Sequence, residues 1–300
     1  MANLATALSP SIAFFLFTRV VAGAAAGVYS PLSSAVAAEI AGEAHRGRAL
    51  ALVLAGLAVG TVFGVPTGLA LAQHWGWRAA ILLIAAIGGA ALAGTALRGT
   101  ELPAIPASGA RKRLRSIARP KNLLTVTVTL LTGVASLGLY TYMTVILSAG
   151  SLASHQTLAI WVWGIGGAVG ALGIGRLMDR RDPLRLSVVI LVVLTCALLG
   201  TTQGQTAWIM VASLFVWGMC GWASLAPQQH ILLQTNPTDG ATAVAANASA
   251  NYLGSALGAI FGSLLVSVHA TPTVLCASAA GVALMALICQ IARQRMNTAE

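Results

Sequence analysis

The residues of this chain whose types could do chemistry lie inside apolar surroundings. Arg19 stands in FFLFTRVVAGAAAG, about a third of the way into a long uncharged run. A guanidinium placed there is costly in lipid, so it is expected to face a cavity, a substrate or a polar partner. The other reading is a side chain that snorkels to the outer interface. Tyr29, Tyr140, Tyr142, Trp163, Trp217, Gln228, Asn247 and Asn251 sit in further apolar runs, with Thr141, Trp222 and Gln229 beside them. They could stack on, or hydrogen-bond to, a ligand in a central cavity. Each also reads as an interface aromatic or a helix–helix hydrogen bond. In GIGRLMDRRDPLR, Arg176, Asp179 and Arg180 bring a carboxylate between two guanidiniums. That spacing suits a charge lock at a helix exit, and it suits a plain topology signal equally.

Catalytic chemistry is not indicated. The chain has 7 Asp and Glu in total and 5 scattered histidines, without metal-ligand spacing. No phosphate-binding loop is present, so ATP is not the energy source expected of this chain. Cys196, Cys220, Cys276 and Cys289 fall inside apolar runs without a CxxC pair, and four buried free thiols are expected. The expectation is a protein that is not an enzyme, with no cofactor and no metal.

The elements that would position these residues are marked by glycine. Gly56, Gly60 and Gly64 recur every fourth residue, followed by Pro66 and Gly68. Gly166 and Gly170, with Gly173 and Gly175, form a second stripe, and Gly254, Gly258 and Gly262 a third. Glycine at this spacing bares one helix face and lets another backbone approach closely. Pro66 removes a backbone donor and is expected to bend its helix. We expect these three helices to form a conformational seam of close, sliding contacts.

Composition sets the solvent. Of 300 residues, 57% are hydrophobic and 8% charged, against about 25% charged in soluble domains. The fold expected is all-α, a polytopic membrane helix bundle. Nine spans are read, at about 11–38, 49–72, 79–97, 122–147, 156–177, 184–203, 206–232, 241–267 and 271–292. Met1 to Pro10 lacks the basic start of a signal peptide. The net charge of +10 does not point to nucleic acid, because the basic residues lie in short loops. Arg46, Arg48, Arg98, the cluster from Arg111 to Lys121, Arg176, Arg180, Arg181, Arg185, Arg293 and Arg295 follow odd-numbered spans, while Arg78 alone lies in a loop on the other side. That bias puts the N-terminus outside and the C-terminus in the cytoplasm. Residues 101–121, with RKRLRSIARPK, read as a cytoplasmic basic linker between a three-helix unit (1–100) and a six-helix unit (122–300). The striped helices are the middle members of three-helix units, and repeated units of three are a transporter plan.

In combination, these motifs resemble the major facilitator superfamily in its drug:proton antiporter branch, near the sugar-efflux and chloramphenicol-exporter-like members. Arg19, Gly23 and Gly27 resemble the fourth-helix motif, with Ala22 where a glutamine is usual. Gly60 to Gly68 and GWR at 76–78 resemble the fifth-helix antiporter motif, with its Gly-Pro pair split as Gly64-Val65-Pro66. GRLMDRRDP resembles the second-half copy of G-x-L-x-D-R, and LYTYMTVIL at 139–147 a seventh-helix cavity wall. The resemblance implies that the chain corresponds to helices four to twelve of a twelve-helix fold, without the first three. It implies proton-coupled efflux of small amphipathic molecules, drugs or sugars, by a monomer in the bacterial inner membrane. The partners implied are the lipid bilayer, a small-molecule substrate and protons. Few acids remain in the spans to carry proton coupling, and a non-transporting truncated paralogue or membrane assembly partner is the other reading.

Overall fold

The computed structural model describes residues 1–97, 118–178, 180–236 and 240–298; the side chains at 30, 31, 34, 35, 38, 39, 42–51, 54, 55, 57, 58, 61, 62, 66, 240 and 241 lie outside it. Glu39, Pro66 and Asp179 therefore lie outside the described side chains. The chain divides into two compact units, Met1–Ala107 and Ser108–Glu300. Among the described residues all regular structure is helical. Eight helical segments are long and apolar enough to cross a membrane: 12–29, 77–97, 120–138, 153–178, 183–200, 207–235, 242–267 and 272–297.

The first unit contains α1 (Ala2–Ala7), α2 (Ile12–Val59), α3 (Val65–Trp75) and α4 (Trp77–Leu97). A polar break was expected at 39–48, but α2 runs through it without interruption. The residues there are mainly Ala, Glu and Arg, good helix formers, and outweigh the two glycines, Gly42 and Gly47. The expected span 49–72 is helical but is not among the eight segments. A π-helical turn, Gly60–Gly64, joins α2 to α3. Pro66 cannot donate to the carbonyl four residues earlier, so the ladder loosens immediately before it. Gly76 ends α3 with φ +81°, a left-handed value that favours glycine. Here α1 packs on α2 and α4, and α3 packs on α4.

The second unit contains α5 (Pro120–Gly133), a π-helical turn (Val134–Gly138), α6 (Met143–Ser148), α7 (Gln156–Met178), α8 (Pro183–Gly200), α9 (Ala207–Ala223), α10 (Leu225–Thr235), α11 (Gly240–Ser267) and α12 (Pro272–Thr298). Pro120 and Lys121, expected in the linker, form the first turn of α5, where a proline has no needed N–H to lose. Asp182 caps α8, accepting from the Arg185 N–H at 3.2 Å. The core is built on Leu194, Leu198, Leu214, Trp217, Leu232, Cys276, Ala283 and Ala286. Cys220 and Cys276 are buried, but Cys196 is exposed and Cys289 half-buried. The expectation of four buried thiols fails because a membrane helix is apolar on its outer side too.

Two helix pairs in this unit approach backbone to backbone. A Cβ added at Gly166 would meet the Phe215 carbonyl, and one at Gly170 the Met219 carbonyl, both inside the 3.0 Å that real Cβ atoms respect. Gly218 answers from α9 against the Trp163 carbonyl. In the second pair, Gly254 meets Leu130, Gly258 meets Val134 and Gly138, and Gly262 meets the Tyr142 ring. Residue numbers rise together in both pairs, so α7 runs parallel to α9, and α5 runs parallel to α11.

Candidate substrate-binding region

Within the second unit the expected cavity residues fall into separate sets. In the second unit an aromatic cluster forms where the π-helical turn after α5 meets α7 and α9. Tyr140 stacks on Trp163 with ring centroids 4.2 Å apart and planes 25° from parallel. Trp163 meets Trp217 edge-on at 6.0 Å. Trp217, wholly buried, donates its indole N–H to Ser136 Oγ at 2.9 Å. The small residue Gly221 leaves room for that hydroxyl. One turn along α7 from Trp163, Gly167 leaves room for the Trp222 ring: a Cβ there would lie 3.0 Å from Trp222 Nε1. Trp163 is 2% exposed. The N–H groups of Trp163 and Trp222 find no acceptor. A buried unpaired donor costs about 1–3 kcal/mol, so two in one cluster call for an explanation.

The amides form a second set. Gln228 Nε2 donates to Gln290 Oε1 at 3.1 Å, and Gln290 Nε2 donates to the Leu184 carbonyl at 3.2 Å. This chain ties α10 to α12 and α8. Asn122 and Asn236 exchange side-chain hydrogen bonds of 2.9 and 3.1 Å, holding the start of α5 to the end of α10. Asn247 is fully buried, and neither atom of its amide has a hydrogen-bond partner. Asn251, nearly buried, packs its backbone carbonyl on Gly133. Arg293, counted in the sequence as a loop charge, is 2% exposed and donates to Asn297 Oδ1 at 3.3 Å and Thr235 Oγ1 at 3.4 Å. Gln290, Arg293 and Asn297 recur at helical spacing on α12. Gln290 and Arg293 turn inward while Asn297 is exposed, and the sequence around them carries no local signal of this.

The remaining expectations separate. Tyr142 donates its hydroxyl to the Ala259 carbonyl and packs on Gly262, which makes it a brace between the π-helical turn and α11. Tyr29 is exposed on the first unit. Arg19 Nη2 donates to Asn3 Oδ1 at 3.2 Å, so α1 supplies a neutral polar partner. Nearby, Arg78 Nη2 reaches the Ser9 carbonyl at 3.2 Å while its guanidinium lies 4.6 Å over Trp77. Among the described residues, no atom lies within 4 Å of a Cβ added at Gly56, Gly60 or Gly64, and Gly68 faces Ala80 at 3.9 Å. Gly166, Gly170, Gly254 and Gly258, also of the expected seam, differ. Their bare faces are occupied by backbone of their own unit, because a helical glycine has a single Cβ direction and it points at a partner helix here. Of the expected lock, Arg176 and Arg180 are exposed at the end of α7, and Asp179 lies outside the described residues.

Residues 1–259 match the Major Facilitator Superfamily. The chain belongs to this family. Its resemblance to curated relatives extends over nearly all of its length. It is 26% identical to the inner membrane transport protein YdhP of Escherichia coli K12 over 303 residues, covering 99% of this chain and 78% of that one. Among solved structures, the E. coli fucose:proton symporter FucP aligns with a TM-score of 0.66 at 14% identity, covering 97% of this chain and 81% of that one. The human organic anion transporter MFSD10 aligns at 0.63 with 18% identity over 96% and 74%. This superfamily chain is a multi-pass membrane protein of the transporter class, with an all-helical bundle.

Proposed function

We propose that this chain exports small amphipathic molecules, drugs or sugars, by proton-coupled alternating access, as a monomer in the bacterial inner membrane with its C-terminus in the cytoplasm. The observation that carries the reading is the antiporter-like residue set of the first unit. Arg19 sits in an apolar helix, and among the described residues its hydrogen-bond partner is a neutral amide. The π-helical turn Gly60–Gly64 precedes Pro66 on a helix whose glycines Gly56, Gly60 and Gly64 keep an open face within their unit. A cation held in lipid by a neutral partner is free to respond to an anionic substrate or a titrating carboxyl. An open glycine face is what a rocking bundle requires. In the second unit, Trp163, on which Tyr140 stacks, supplies an aromatic face for the apolar part of a substrate, and the basic bias of the loops sets the orientation.

The test is export from cells. The full chain, expressed in an efflux-deficient bacterium, is expected to lower accumulation of an amphipathic dye, and a protonophore should restore it. Unchanged accumulation overturns the export reading, and protonophore-insensitive export overturns proton coupling. Arg19→Ala should abolish the export while leaving membrane insertion intact.

A further inference from the structure

The tryptophans Trp163 on α7 and Trp217 and Trp222 on α9 are not equivalent. Trp217 is bonded within the protein, its N–H taken by Ser136 at 2.9 Å. Trp163, 2% exposed, and half-buried Trp222 have N–H groups with no acceptor. Trp222 is held beside the Trp163 turn because Gly167 has no side chain, its Nε1 being 3.0 Å from a Cβ built there. Gly167 lies four residues, about one helical turn, beyond Trp163 on α7, so Trp222 of α9 packs on the turn next to Trp163. Ser136 lies in the π-helical turn Val134–Gly138, and such turns occur frequently at functional sites. Tyr140 lies just beyond it, half-buried, with its ring flat on Trp163.

We propose that Trp163 and Trp222 are the donor side of a ligand subsite inside the second unit, which takes an uncharged or anionic ring compound through an oxygen acceptor, and that Tyr140 is its displaceable cover. The proposal rests on the transport reading for its substrate class and adds how the substrate is recognised. The oxygen of a carbonyl or hydroxyl accepts from the indole N–H groups. The ring of the ligand packs among the aromatic faces, where offset stacking is favourable. Tyr140 stacks on Trp163 in the unliganded arrangement and leaves that face when the ligand enters. A site built to donate hydrogen bonds discriminates strongly against analogues that lack the acceptor, because its donors are then left unpaired. The selected class is therefore ring compounds with acceptor oxygens, and bulky aromatic cations without one are disfavoured.

The experiment uses the full chain in lipid nanodiscs with two probes. One is 4-nitrophenyl β-D-glucoside, a ring with several acceptor oxygens. The other is tetraphenylphosphonium, aromatic but without an acceptor. The glucoside is expected to bind, and to bind more tightly than tetraphenylphosphonium. Trp163→Phe, which keeps a ring and removes the donor, should weaken the glucoside about tenfold, the loss of one buried hydrogen bond. Trp222→Phe should weaken it similarly, and Tyr140→Ala should tighten it. In the unaltered protein, the indole ¹⁵N–¹H resonances of Trp163 and Trp222 should shift on adding glucoside, while that of Trp217 stays in place. If Trp163→Phe does not fold, the half-buried Trp222 variant and the resonances decide the matter. The proposal is overturned if the glucoside does not bind, if both folded Phe variants bind it like the parent, or if tetraphenylphosphonium binds as tightly. Export from cells that is indifferent to Trp163→Phe defeats this site and leaves the exporter reading standing. Donor-dependent binding without any export does the reverse.

Discussion

The glycine stripes of the two units have the same spacing and different surroundings. In the second unit, Gly166 and Gly170 on α7 and Gly254 and Gly258 on α11 are pressed against backbone carbonyls of α9 and α5. In the first unit, among the described residues, no atom lies within 4 Å of a Cβ added at Gly56, Gly60 or Gly64. The four-residue repeat prepares a bare face in both cases. Whether that face is filled depends on the path of the neighbouring helix. Within the second unit, close packing brings parallel helices that are not neighbours in sequence into contact. The first unit keeps the same surface unfilled within itself, which is the property that suits a sliding contact.

The comparison can be broken most forcefully at Gly170. Gly170→Ala puts a Cβ against the Met219 carbonyl, and a backbone cannot yield as a flexible side chain does. The expected loss of stability is about 3 kcal/mol, the upper end of the usual overpacking range. Thermal unfolding in detergent measures it, and an unchanged midpoint would mean that α7 and α9 are not in backbone contact. Ser136→Ala tests the same packed region through a polar group. It leaves the buried Trp217 N–H without its acceptor, at an expected cost of about 1–3 kcal/mol. A smaller loss would show that the indole finds another partner.

Gly173→Ala sharpens the contrast within one helix. No atom lies within 4 Å of a Cβ there, although Gly170 is less than one turn away. Replacing a helical glycine by alanine without a clash should stabilise by about 0.5–1 kcal/mol. Destabilisation would mean that the open side of α7 is needed for packing. Gly64→Leu should change stability least, because its own unit leaves room and leucine is favourable in lipid by roughly 0.5 kcal/mol. Its readout is transport: the protein is expected to insert normally and fail to cycle. A Gly64→Leu protein that exports normally would remove the sliding role from this face. One that unfolds like Gly170→Ala would remove the difference between the units.

Much of this was readable from the sequence because lipid imposes a simple rule. A long run without charge must form a helix in which every backbone group is bonded internally, and so the class, the approximate spans of the second unit and the family-like motifs could all be read from residue order alone. The same rule hides orientation. A membrane helix is apolar all round, so hydropathy does not say which side faces a partner, and Cys196 and Cys220 look alike in sequence while one is exposed and the other buried. Tertiary structure alone decided that Trp217 is satisfied by Ser136 while Trp163 and Trp222 are not. It also decided that Gln290 and Arg293 turn inward from what looked like a terminal basic flank. These outcomes depend on residues far apart in the chain, 81 positions for Ser136 and Trp217 and 58 for Thr235 and Arg293. No local pattern encodes such pairings. They are settled when close helix crossings, permitted by glycine, bring those particular side chains to the same depth.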